Sequence, residues 1–133
     1  MPPDPVSRDV ASEWLRYARG NLARAKQEKP AETPWEYMCF DAQQAAEKAI
    51  KAVLIFHGIE LPRTHAIGEL LDLLNRTGEA VPGELWPADA LSDYATHARY
   101  PGGEQPVTEV DHERAVTLAE QVVRWAEGIV HGA

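Results

Sequence analysis

The segment WEYMCFDAQQAAEKAIKAVLIFH, residues 35–57, decides the fold. Its apolar side chains recur at intervals of three and four residues, which is the period of an α-helix. Pro34 precedes the segment and Gly58 follows it, a pair typical of the start and end of a helix. The apolar face is wider than a single stripe and predicts a central helix with several neighbours. Its members are Met38, Ala42, Ala45, Ala49, Val53 and Phe56, flanked by Cys39, Ala46, Ile50 and Leu54.

The flanking sequence repeats this helical period on both sides. It predicts helices over about 8–26, 65–76 and 87–98, and a last helix that runs to about 129. Ser7 and Thr64 are the expected N-caps of the first and third helices, and Thr108 with Asp111 resembles a capping box. No segment alternates with the two-residue period of a strand. The sequence therefore predicts a single all-α domain over residues 1–133, an up-and-down antiparallel bundle of four to five helices.

Composition excludes several classes of protein. The chain has 133 residues and a formal net charge of -8, which argues against coating nucleic acid or an anionic membrane through bulk charge. The longest apolar run, residues 52–56, is far shorter than a membrane span. The single cysteine excludes an internal disulfide and a cysteine-based zinc site. With no signal-peptide core in residues 1–9, we expect a cytoplasmic protein.

A few cysteine, histidine and acidic residues could take part in catalysis or metal binding, but none has the partners that such a site needs. Cys39 lies in an apolar stretch, so we expect a buried structural thiol and not a nucleophile. Glu109 and His112 form one Glu-x-x-His motif, whereas a di-iron bundle needs two, so we expect a solvated first turn. Asp93 and His97 are four residues apart and would supply at most two ligands. We predict no metal site and no cofactor.

The predicted central helix also carries a polar face. Gln44, Lys48 and Lys51 are about one turn apart and would point the same way. The face is either a solvated surface with a Glu47–Lys51 ion pair or the wall of a groove or interface. The sequence leaves both interpretations open.

Two loops concentrate groups that suit phosphate. Arg63-Thr64-His65 stands where a loop meets a predicted helix, and helix N-termini with a nearby cation bind anions. The alternative is simple capping by Thr64. In the second loop Arg99 would grip a phosphate and Tyr100 would stack on a base, unless Tyr100 packs under its own loop.

Three motifs together resemble a known family. Residues 39–52, CFDAQQAAEKAIKA, resemble the central-helix signature of HEPN domains. Residues 62–65, PRTH, and 98–101, ARYP, resemble two further motifs of one prokaryotic HEPN branch. The resemblance covers roughly residues 13–130. It implies a helical bundle that commonly dimerises and often pairs with a minimal nucleotidyltransferase in a toxin–antitoxin-like system.

HEPN ribonucleases carry an arginine followed by four to six residues and a histidine. Neither Arg63 nor Arg99 has a histidine at that distance. Arg124 and His131 fit formally, but they fall at the expected fraying end of the last helix. The resemblance therefore implies a binding member of the family more strongly than a ribonuclease.

These observations lead to one function and two alternatives. We predict a HEPN-type module, homodimeric, that binds a nucleotide or a partner nucleotidyltransferase. The first alternative is a metal-independent ribonuclease in which His65 or His97 works with Arg99. The second is a purely structural subunit. The predicted contact residues are Gln44, Lys48, Lys51, Arg63, His65, Arg99 and Tyr100.

Overall fold

The computed structural model describes residues 4–97 and 105–132. The three long helices are α1 (Pro5–Ala25), α2 (Trp35–Phe56) and α5 (Glu109–His131). Between α2 and α5 lie α3 (Ile67–Arg76), a 3₁₀ segment (Gly83–Asp93) and the short α4 (Tyr94–His97). No strand occurs in these two stretches, so the prediction of an all-α bundle is confirmed. None of the described helices is both long enough and apolar enough to cross a membrane.

Side-chain pairs fix the direction of α1 against α2 and α5. Arg24 of α1 meets Asp41 near the start of α2, whereas the Arg8 guanidinium carbon lies 5.9 Å from the ring centre of Phe56 at its end. On the opposite side of α1, Arg19 pairs with Glu127 near the end of α5. Lys26, just past α1, pairs with Glu120, a residue nearer the start of α5. The helix α1 is therefore antiparallel to both α2 and α5.

The helix α2 is the centre of the bundle because its small side chains let neighbours approach. It contacts α1, α3, α4, α5 and the 3₁₀ segment. Small residues bring the backbones of packed helices together, and leucines and valines of the neighbours fill the space between them. The fully buried alanines of α2 are Ala42, Ala45, Ala46, Ala49 and Ala52.

The start of α1 differs from the sequence prediction, whereas the start of α5 agrees with it. The N-cap of α1 is Asp4, whose side chain accepts a hydrogen bond from the Val6 N–H at 2.9 Å. Ser7, the predicted cap, lies inside the helix and donates its hydroxyl to Asp4. At α5 the predicted capping box is confirmed, because Thr108 and Asp111 each accept from the other's backbone N–H.

The segment before α4 is not the α-helix predicted over 87–98. It is a 3₁₀ helix that begins at Gly83 and carries Pro87 in its interior. The prediction placed Pro87 in the first turn of an α-helix, where proline is tolerated because the N–H there has no partner. The helical segment instead begins four residues earlier, at Gly83, so Pro87 lies in its interior, where an α-helix would lose a hydrogen bond. The segment nevertheless buries one apolar side, formed by Leu85, Ala88 and Leu91.

The wide apolar face of α2 is covered within the monomer. Cys39, Ala46, Ile50 and Leu54, which we expected to extend the face, are all fully buried within the chain. A wide apolar face could have indicated an interface with a second copy of the chain, but neighbours within the same chain already cover it. The width of that face therefore gives no reason to expect a dimer. What stays open on α2 is a different face, which includes Tyr37 and the half-buried Phe40 and Ile55.

Ala49 tests the close packing at the centre of α2. Ala49 is fully buried, so we expect Ala49→Glu to lower the free energy of unfolding by several kcal/mol, about the cost of an unpaired buried charge. The matched control is Ala23→Glu, because Ala23 is exposed on α1 and its replacement should change stability by less than about 0.5 kcal/mol. Urea unfolding followed by circular dichroism measures both. Equal stability of the two variants would contradict the packing described here.

Candidate functional site

The polar face of α2 divides into two groups of hydrogen bonds. The first group joins α2 to α1 through Asp41, which accepts two bonds from the Arg24 guanidinium, at 2.6 and 3.2 Å. Asn21 donates to Asp41 at 3.2 Å and accepts from the Lys48 ammonium at 2.7 Å. Lys48 is therefore held against α1, away from Lys51.

The second group has the buried carboxylate of Glu47 at its centre. Lys51 donates to one Glu47 oxygen at 2.8 Å, and the Gln43 amide donates to the other at 2.7 Å. The Nδ1 atom of His65 lies 3.1 Å from both oxygens. Gln44 joins the group indirectly, since its amide donates to the Gln43 oxygen at 2.6 Å. We call Gln43, Glu47, Lys51 and His65 the Glu47 cluster.

Glu47 is charged although it is only 4% exposed. Burial raises the pKa of a carboxyl group because it removes water from the charged form. In Glu47 the hydrogen bonds from Lys51, Gln43 and His65, together with the positive charge of Lys51, outweigh that effect and lower its pKa. The cluster is consequently a compensated anion that binds two basic side chains in fixed positions.

His65 is the member of the cluster that reaches the surface. Its side chain is 61% exposed, whereas the side chain of Glu47, at the other end of the contact, is 6% exposed. A carboxylate can only accept a hydrogen bond, so the Nδ1 atom of His65 carries a proton and donates a hydrogen bond to Glu47. In the neutral ring, Nε2 then bears the lone pair and can accept a proton from a molecule outside the protein.

The N-terminus of α3 does not provide the open backbone donors that the sequence predicted. The Ile67 N–H donates to the Ser92 hydroxyl at 2.9 Å, and the Gly68 N–H donates to the Asp89 carboxylate at 2.7 Å. Thr64 does not cap α3; its hydroxyl accepts from the Ala66 N–H in the preceding turn. An anion at this point would have to displace Asp89.

The predicted contact residues are only partly brought together. Lys51 and His65 share Glu47, Gln44 joins them through Gln43, and Lys48 belongs to the group on α1. Arg63 is exposed two residues before His65. Three further predicted groups, the side chain of His97 and the whole of Arg99 and Tyr100, lie outside the described residues. A cavity of about 500 Å³ lies between the end of α1 and the start of α2, and none of the predicted contact residues lines it.

Several functional candidates from the sequence are structural residues. His112 is neither a metal ligand nor part of a solvated turn: its Nε2 donates to the Ala25 carbonyl at 2.6 Å, and its ring lies 4.9 Å from that of Trp35. The Cys39 thiol is buried, and burial raises its pKa to about 12, as expected for an inert thiol. Arg124 and His131 lie within α5, which ends at His131, two residues beyond the predicted end. In the part of the chain that the structure describes, no three acidic, histidine or cysteine side chains are grouped to hold a metal.

The lowered pKa of Glu47 makes a prediction about acid stability. Its contribution is complete above the unfolded-state value, near 4.5, and is lost as the pH falls through the lower folded-state value. We expect Glu47→Gln to be less stable than the wild type by about 1 to 3 kcal/mol at neutral pH, because it leaves Lys51 without its buried partner. Urea unfolding should show that difference shrinking as the pH is lowered. Glu69→Gln, at an exposed position on α3, serves as the control with no such trend.

Comparison with known proteins identifies the chain. The HEPN domain family model matches residues 11–129. None of the curated proteins matches the chain. The solved structure of ST0689, an archaeal HEPN homologue, shares 31% identity and has a TM-score of 0.72, covering 90% of this chain and 97% of its own. The structure of TT1696 from Thermus thermophilus shares 31% identity with a TM-score of 0.73, covering 88% of this chain and 95% of its own. With its helical bundle and three motifs in order, the chain belongs to the HEPN domain family.

Proposed function

We propose that this HEPN domain is a binding module that takes a nucleotide or a minimal nucleotidyltransferase as its partner, in a toxin–antitoxin-like pair. The observation that carries the proposal is the Glu47 cluster, which fixes an exposed imidazole two residues after the exposed Arg63. A buried ion pair and a buried glutamine are more than a solvated helix surface needs. Such an arrangement positions a few polar groups for recognition.

Charge explains why the ligand would be held locally. The net charge of -8 gives no long-range attraction for phosphate. A phosphate must therefore be bound at short range by a few groups: the Arg63 guanidinium, and the His65 ring when both of its nitrogens carry a proton. The α3 backbone adds nothing there, because Asp89 and Ser92 already cap it. Arg99 and Tyr100 remain candidates on the sequence motif alone.

Phosphate binding is tested by titrating nucleoside mono- and triphosphates calorimetrically. We expect weak binding by the wild type and a loss of about tenfold in Arg63→Ala and in His65→Ala, since a charge-assisted hydrogen bond contributes roughly this much. Arg76→Ala is the matched control: it removes an exposed arginine of α3 that pairs with Asp72. Arg99→Ala tests the motif outside the described residues. Equal affinity in the wild type, Arg63→Ala, His65→Ala and Arg99→Ala would remove these residues from the site.

The nucleotidyltransferase partner is proposed from the family and from the paired organisation that the motifs imply. If a short nucleotidyltransferase is encoded beside this gene, the two proteins should co-purify as a stoichiometric complex when expressed together. A complex that forms with the wild type and not with Arg63→Ala would link the partner to the same surface. Independent migration of both proteins on gel filtration would contradict the pairing.

Homodimer formation is supported by the family habit and by the open face of α2. Tyr37 is 52% exposed there, about one turn from the half-buried Phe40, and the half-buried Ile55 lies near the other end of the helix. We expect light scattering to give about twice the chain mass of 14.7 kDa at high micromolar concentration. Tyr37→Glu should shift the protein to the monomer without loss of helix, whereas Val110→Glu, at an exposed position on α5, should not. A 14.7 kDa mass for the wild type would contradict the dimer.

One observation favours the ribonuclease as a second candidate. Glu47 accepts from Nδ1 of His65 and so leaves Nε2 to act as a general base on a 2′-hydroxyl. RNA cleavage in metal-free buffer that is lost in both His65→Ala and Glu47→Gln would support this candidate over the binding module. Cleavage lost only in His131→Ala would instead assign the reaction to Arg124 and His131.

A further inference from the structure

A cleft between α1 and α2 lies apart from the Glu47 cluster. It encloses about 210 Å³ and is lined by Glu13, Trp14, Tyr17 and Lys48. Aromatic rings and a lysine therefore face one small space. Pockets that enclose a drug-sized ligand begin at ~300 Å³, so this cleft has room for a ring and not for a whole nucleotide.

Lys48 is held in a fixed position at the cleft. Its ammonium donates to Asn21 at 2.7 Å and lies 5.9 Å from the centre of the Tyr17 ring. Burial lowers its pKa, which shows that part of its hydration is already lost. An ammonium has three donors, and the bond to Asn21 uses one of them. The other two can serve a ligand at little cost in side-chain entropy.

The aromatic side chains of the cleft are more exposed than residues that serve only to fill the core. Tyr17 is 55% exposed, and Trp14 packs against the core while it also lines the cleft. The Arg16 guanidinium lies 5.1 Å from the Tyr17 ring centre. Glu13 does not repel an electron-rich ligand strongly, because its carboxylate is paired with Arg16 at 2.6 Å.

We propose that this cleft binds a planar heteroaromatic ring that carries hydrogen-bond acceptors, the chemistry of a nucleobase. The ring stacks on Tyr17 and Trp14, and Lys48 donates to a ring nitrogen or carbonyl. Aromatic side chains with an adjacent cation form the usual stacking platform for bases. The site does not depend on phosphate binding at Arg63 and His65, since the bond to Asn21 holds Lys48 at α1 and away from that group.

Two sources present this chemistry, a free nucleotide and a base of a single-stranded nucleic acid. The two differ in what lies beyond the ring: a free nucleotide ends at its phosphate, and a strand continues over the surface. The other occupant to be tested is a second copy of the chain, because Trp14 and Tyr17 are also suited to an interface.

The test uses calorimetric titration with adenosine, ribose 5-phosphate, AMP and a hexa-adenylate RNA. Adenosine isolates the ring from the phosphate, and we expect it to bind about as well as AMP. Tyr17→Ala and Lys48→Met should each weaken adenosine binding by about tenfold or more. Tyr17→Phe should retain it. Val110→Ala, which removes a large exposed apolar side chain of α5, should have no effect. The hexanucleotide should exceed adenosine at least tenfold if the source is a strand and should match it if the source is a free nucleotide.

Three results would overturn the inference. The first is no binding of adenosine by a wild type that is folded by circular dichroism. The second is equal binding by Tyr17→Ala, Lys48→Met and the wild type. The third is a Tyr17→Ala variant that becomes monomeric while its affinity for adenosine is unchanged, which would make the cleft an interface between copies. Arg63→Ala separates the two sites, since it should weaken ribose 5-phosphate and leave adenosine unaffected.

Discussion

A carboxylate enclosed by protein has to be compensated, and Glu47 organises its surroundings by that requirement. An unpaired anion at this depth would be far less stable than in water. Lys51, Gln43 and His65 meet the requirement by donating to its two oxygens. Through His65, the same contacts tie the loop after α2 back onto the middle of that helix. A polar group inside the bundle thus determines where an exposed imidazole is held.

The alanines of α2 have a complementary role. They bring α1 and α5 close to the helix, and this closeness places Asn21 and Arg24 within reach of Asp41 and Lys48. Larger residues at these alanine positions would hold α1 further from α2, beyond the reach of these hydrogen bonds. The polar contacts on the open side therefore depend on the small apolar residues on the buried side.

Most of the fold can be predicted from the sequence, because helical period and boundary residues are local signals. The bounds of α2 follow from Pro34 and Gly58 to within a residue. Long-range contacts carry no such signal. Nothing near Ile67 indicates that Ser92 and Asp89 would cap α3, and nothing near His112 indicates that its partner is a carbonyl of α1.

The candidate site was predicted in composition but not in arrangement. The residues around Glu47 were recognised as a polar face, yet helical spacing suggested that Lys48 and Lys51 act together. The bond to Asn21 separates them, and it depends on the approach of α1. The Glu47–Lys51 ion pair was one of the predicted alternatives and is present, but the role of Glu47 as an acceptor for Gln43 and His65 as well was missed. The position of Glu47 four residues after Gln43 was the available signal, since such pairs meet on one side of a helix.

The capping of α3 by Asp89 and Ser92 has a consequence for the order in which the protein opens. A helix of 10 residues is marginal alone, and here the groups that satisfy its first N–H bonds belong to the 3₁₀ segment. If that segment detaches, α3 loses its cap at the same moment. The absence of a side chain at Gly68 lets Asp89 approach the start of α3 closely, because a Cβ there would lie 2.7 Å from the Asp89 carboxylate oxygen. We therefore expect residues 66–93 to open as one cooperative unit, whose amides exchange with solvent together and ahead of those in α2.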